Sequence, residues 1–141
     1  MSISTAASAG PTFATSTLAV SPAGTTVQAV VGDVNGDGQN DLVVLSDSSL
    51  RIYSVTANGG ATLQQSVAVT SAPDGWAYAQ PRIADVDGDG DRDVALYLRS
   101  DGQPGILQLV KWEQASSSFS VAGPYTMPEA DAAYSCDIAD I

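Results

Sequence analysis

The chain has 141 residues, with 16 acidic against 5 basic side chains, a formal charge of −11 and no histidine. That balance excludes nucleic acid as a partner, because phosphate contacts need a basic face. The missing histidine removes Ser-His-Asp and Cys-His arrangements and the usual zinc sites. No apolar run approaches the ~20 residues of a membrane-spanning helix, so no membrane insertion is expected, and the lone Cys136 cannot form a disulfide within the chain.

Residues 1–11 read as a flexible N-terminal segment. They lack the basic n-region and apolar h-region of a signal peptide. Residues 12–22 read as the last strand of a four-stranded unit, similar to the later stretch Thr62 to Val69. Two four-stranded units follow, expected over 27–70 and 80–126. In each, a short strand leads into an acidic loop and an apolar strand, Asp41 to Leu45 or Val94 to Leu98. Polar or glycine-containing breaks then separate two further strands. Residues 133–141 read as the first strand of another unit, since Ile138-Ala139-Asp140-Ile141 matches Ile83-Ala84-Asp85-Val86 and Val31-Gly32-Asp33-Val34.

The acidic loops carry the chemistry. Asp33-Val34-Asn35-Gly36-Asp37-Gly38-Gln39-Asn40-Asp41 and Asp85-Val86-Asp87-Gly88-Asp89-Gly90-Asp91-Arg92-Asp93 both read D-x-[DN]-x-D-G-x-x-D, and they start 52 positions apart. A hard cation such as Ca²⁺ takes six to eight oxygen ligands in flexible geometry. Aspartate's short arm suits a tight loop, and the chain holds 14 Asp but only 2 Glu. The expected ligands are Asp33, Asn35, Asp37, Asp41 and the backbone carbonyl of Gln39 in the first loop. In the second they are Asp85, Asp87, Asp89, Asp93 and the backbone carbonyl of Asp91. Four carboxylates against three predict tighter binding at the second loop. The competing explanation is a pair of metal-free Asp/Gly turns, which the doubling of the motif in matched context disfavours. An EF-hand is excluded: its bidentate Glu would fall on Val44 or Leu96, and the flanking runs are β-prone rather than helical.

A period near 50 residues with four short strands per unit signals a β-propeller. The fold class expected is all-β, with blades made of four-stranded antiparallel sheets, forming a partial propeller of about two and a half blades. Closure then calls for the remaining blades of a longer chain or for other copies of this one, and the half-blades at each end suit either.

The run Val-Gly-Asp-Val-Asn-Gly-Asp-Gly-Gln-Asn-Asp-Leu-Val-Val, residues 31–44, resembles the FG-GAP/VCBS-type repeats of integrin α-subunit propellers and of many bacterial secreted proteins. The resemblance extends from Thr12 onward. The Phe-Gly and Gly-Ala-Pro tags of the family are not evident, so the bacterial branch is the better match. It implies Ca²⁺ held between the first and second strands of each blade, and blade-to-blade loops on the opposite face, which often binds ligands. One such loop holds Trp76 and Tyr78 beside Asp74, and these aromatics are candidates for stacking on a sugar ring, although packing in the gap between blades is the favoured reading.

Paired carboxylates can cleave glycosidic bonds, but ionised metal ligands make poor general acids, so no catalysis is expected. The functional expectation is a calcium-binding adhesion or recognition module for carbohydrate or protein ligands in an extracellular or cell-surface setting. The alternatives are a self-assembling structural protein and an accessory module of a secreted polysaccharide-degrading enzyme.

Overall fold

A computed structural model describes residues 28–46, 48–56, 59–70, 77–78, 81–99 and 103–127. The expected strand at 12–22, the half-blade at 133–141 and Trp76 lie outside these residues. Among the described residues there are nine strands and no helix. The first five are β1 (Gln28–Gly32), β2 (Asp41–Leu45), β3 (Ser49–Val55), β4 (Ala61–Ala68) and β5 (Ala77–Tyr78). The rest are β6 (Arg82–Ala84), β7 (Asp93–Arg99), β8 (Ile106–Glu113) and β9 (Ser118–Thr126).

They form two antiparallel sheets. The first has the meander order β1-β2-β3-β4, and the second runs β7-β8-β9, with both β5 and β6 paired to β7. The sequence reading starts the second blade at residue 80, whereas this sheet also takes in Ala77 and Tyr78. The reason is length: β7 has seven residues and β6 only three, so β6 covers Asp93 to Ala95 and β5 pairs with Leu98 and Arg99.

The strands directly after the acidic loops are the most apolar and the most buried. Val43, Val44 and Leu45 in β2 and Val94, Ala95, Leu96 and Leu98 in β7 are all buried. A short apolar run without alternation is the pattern of a strand covered on both faces. The outer strand β4 keeps Thr62, Leu63, Gln64 and Ser66 exposed.

One core joins the two sheets. Val43, Leu45, Leu50, Ile52 and Val67 of the first sheet pack in the same cluster as Val94, Leu96, Leu98, Val110 and Phe119 of the second. Like strands meet like: β1 touches β6, and β4 touches β9. Gly32 permits the first approach, because a β-carbon there would stand 2.8 Å from Ile83 Cδ1. Side-chain amides make the second. Gln65 Nε2 donates to the Phe119 carbonyl (2.9 Å), and Phe119 N–H donates to Gln65 Oε1 (2.8 Å). Buried Gln108 makes a similar pair: its Oε1 accepts from Thr70 N–H (2.9 Å) and its Nε2 donates to Thr70 Oγ1 (3.2 Å).

Candidate metal centre

Each acidic loop connects a short strand to the buried strand with which it pairs: β1 to β2, and β6 to β7. Both are wound by the same set of hydrogen bonds from backbone N–H groups to side-chain oxygens. The first aspartate accepts two N–H groups, one on each oxygen. Asp33 Oδ1 takes Gly36 N–H (2.9 Å) and Oδ2 takes Gly38 N–H (2.9 Å). Asp85 does the same with Gly88 (2.7 Å) and Gly90 (3.0 Å). The third position accepts from the fifth: Asp37 N–H to Asn35 Oδ1 (3.0 Å), and Asp89 N–H to Asp87 Oδ1 (3.4 Å). The fifth accepts from the seventh: Gln39 N–H to Asp37 Oδ1 (2.8 Å), and Asp91 N–H to Asp89 Oδ1 (2.9 Å). The ninth closes the loop: Val34 N–H to Asp41 Oδ2 (3.3 Å), and Val86 N–H to Asp93 Oδ2 (3.1 Å).

This winding requires left-handed backbone at Gly36 (φ 72°) and Gly88 (φ 76°), a conformation that glycine adopts without a steric penalty. Gly36 has a second constraint. A β-carbon on it would lie 3.2 Å from Asp91 Oδ1, so the second loop leans against the first.

The winding draws oxygens together. Carboxylate oxygens of Asp85, Asp87 and Asp89 lie within 4.8 Å of one another, the one such acidic group among the described residues. The first loop has Asn35 where the second has Asp87, and Asn35 Nδ2 donates to Asp37 Oδ2 (3.3 Å). Gln39 and Asp91, expected to give backbone carbonyls, also lock their loops through their N–H groups. All donors on offer are oxygen, three of them are convergent carboxylates, and the loop backbone is organised around them. That chemistry fits a hard divalent cation such as Ca²⁺ and not a thiophilic one. The residues that would hold it are those at positions one, three, five, seven and nine of each loop.

The ninth-position aspartates are the least exposed of these groups, Asp41 and Asp93 both at 1 %. Burial pushes their carboxyls above the ordinary value, partly offset by the N–H groups of Val34 and Val86, and the neighbouring loop carboxylates push the same way as burial. A bound cation would supply the missing positive charge.

Two groups near the loops could not be read from their motif. In the first sheet the β3–β4 ladder passes from Ile52↔Gln65 to Tyr53↔Leu63, leaving Gln64 as a bulge residue. Bulges re-aim side chains, and the Gln64 amide reaches Ser54 Oγ, Asp41 Oδ1 (3.4 Å) and Asn35 Nδ2 (3.5 Å). In the second sheet Lys111 of β8 forms an ion pair with Asp87 Oδ2. Lys111 holds the Asp87 carboxyl below the usual range, and Asp87 raises the ammonium in return. Tyr78 belongs to β5, where its backbone pairs with Leu98.

Residues 33–96 match the family model for an FG-GAP-like repeat. The matched segment runs from the first aspartate of the first loop into β7. This segment is thus similar to an FG-GAP-type repeat, and because FG-GAP repeats form β-propellers, the two antiparallel sheets are consistent with propeller-like blades. Such repeats often bind Ca²⁺, are typically extracellular and are generally non-catalytic. No curated protein and no solved structure matches the chain. Among the described residues no helix is long and apolar enough to cross a membrane.

Proposed function

We propose that this chain is a non-catalytic, calcium-binding β-propeller module that acts outside the cell in adhesion or recognition of carbohydrate or protein ligands. The observation that carries the calcium part is the convergence of Asp85, Asp87 and Asp89 on a loop whose backbone is already wound around the Asp85 carboxylate. The cation's role is structural. It binds a site that exists only when β6 and β7 are paired, and so stabilises the folded blade by mass action. With calcium at 100 times the dissociation constant, one site adds about 2.7 kcal/mol.

The test is thermal unfolding with millimolar calcium and with excess chelator, beside a calorimetric titration. A melting temperature raised by calcium and returned by chelator supports the reading. Identical melting in both conditions, with no heat of binding, refutes it.

The partners proposed for the blade faces are the remaining blades of a longer chain or other copies of this one. Val31 and Leu63, large apolar residues of the first sheet, are 60 % and 48 % exposed, which favours a further sheet stacked on them. A solution mass fixed at one copy at high concentration with calcium would rule out assembly between copies.

A further inference from the structure

The two loops share a motif and a hydrogen-bond pattern, but the strand behind them differs. In the first sheet Leu42 pairs with Tyr53, and the next residue is Ser54. In the second, Val94 pairs with Val110, and the next residue is Lys111. Ser54 and Lys111 therefore stand at equivalent places, each behind its loop. Behind the first loop the bulged Gln64 amide, which reaches Asp41 and Ser54, is neutral, and the Asp91 carboxylate of the second loop lies near Gly36. Behind the second loop the group is an ammonium, bonded to one of the three convergent carboxylates.

We propose that Lys111 is a tethered counter-ion for the second loop, occupying the place of the divalent cation when none is bound and competing with it when one arrives. The proposal rests on the calcium-binding reading above. Three like charges within 4.8 Å repel one another. A positive charge delivered from β8, a strand hydrogen-bonded to β7, offsets that repulsion with no ion from solution. The same ammonium repels an entering cation and must release Asp87 Oδ2 before that oxygen can bind metal. It also brings the four ligand carboxylates of this loop to a net charge of −3, the value for the three of the first loop. Lys111 thus cancels the advantage that carboxylate counting gives to the second site. The second blade keeps its loop wound at low calcium, and the first depends on the ion.

Lys111→Met keeps the apolar stem and removes the charge; Lys111→Arg keeps the charge. Three results are expected. In a calcium titration of Lys111→Met, one of the two sites tightens by about three- to tenfold and the other stays put, while Lys111→Arg follows the parent chain. In chelator, Lys111→Met melts below the parent. A double-mutant cycle with Asp87→Asn in chelator shows coupling, the double variant losing less than the two single losses together.

Calcium affinities equal in the parent and Lys111→Met overturn the competition, and an additive cycle in chelator overturns the counter-ion role. Should the parent bind no calcium at all, the metal reading falls and the proposal falls with it, whereas binding unaltered by Lys111→Met removes the proposal alone. If Lys111→Met does not fold, Lys111→Gln takes its place in the calcium titration, and affinities equal to the parent's overturn the competition.

Discussion

The first and second acidic loops are wound by the same backbone hydrogen bonds, yet their electrostatic surroundings differ in kind. Asp33, Asn35, Asp37 and Asp41 have an amide and a hydroxyl behind them, from Gln64 and Ser54. Asp85, Asp87, Asp89 and Asp93 carry one more carboxylate and are faced by an ammonium from Lys111. The comparison teaches that a nine-residue ligand motif fixes how the loop coils but not how its charge is balanced. The balance comes from the next strand of the sheet, through pairing the motif does not encode.

Removing calcium tests that comparison most strongly. If both loops fill, chelation costs about 2.7 kcal/mol per site at calcium 100-fold above the dissociation constant. Hydrogen exchange in chelator then separates the loops: amides of Gly36 and Gly38 lose protection before those of Gly88 and Gly90. Equal loss in both would break the distinction.

A smaller effect comes from alanine at equivalent glycines. Gly36→Ala and Gly88→Ala both force a side chain into left-handed backbone, at about 1–2 kcal/mol. Only Gly36→Ala also pushes on Asp91, because among the described residues nothing lies within 4 Å of where a β-carbon on Gly88 would stand. Urea unfolding in chelator is expected to rank Gly36→Ala as the more damaging of the two.

Asp41→Asn sharpens the contrast by sign. Asparagine keeps an acceptor for the Val34 N–H and removes a buried charge whose carboxyl is raised by burial. Melting in chelator is expected to hold or rise, and the calcium-dependent gain at the first loop is expected to disappear.

The dependence on pH is the smallest effect, and its direction can be worked out. Asp41 and Asp93 are raised above 3.8, so the folded cation-free chain holds their protons more tightly than the unfolded chain does. Their contribution to stability therefore declines as pH rises from 3.8 through the raised values. Asp87 is lowered, so its contribution is present above 3.8 and is lost as pH falls through its folded value. With calcium saturating, the ligands must be ionised and protons compete with metal. Just above 3.8, the melting temperature is expected to fall with rising pH in chelator and to rise in calcium. Parallel pH profiles in the two conditions would contradict this.

Much of this arrangement was legible in the sequence, for identifiable reasons. The apolar runs from Leu42 to Leu45 and from Val94 to Leu98 announced strands, and the Asp and Gly positions ahead of each announced tight loops. Those signals are local. Gln64, Lys111 and Gln65 were not legible, because their roles depend on register. Gln64 reaches the first loop only because β4 bulges opposite Ile52 and Tyr53. Lys111 reaches Asp87 because β8 pairs with β7 in one particular alignment. One hint was available: Lys111 is one of only five basic residues, and it lies between Val110 and Trp112. The short strand at Ala77–Tyr78 was hidden for the same reason, since only the overhang of β7 gives it a partner.

Gln65 gives Phe119 one donor and one acceptor, as a neighbouring peptide unit would, and does so from the end of a long side chain. A dovetail of this sort resists sliding of one sheet past the other, because a shift of one residue in either strand would part both bonds at once.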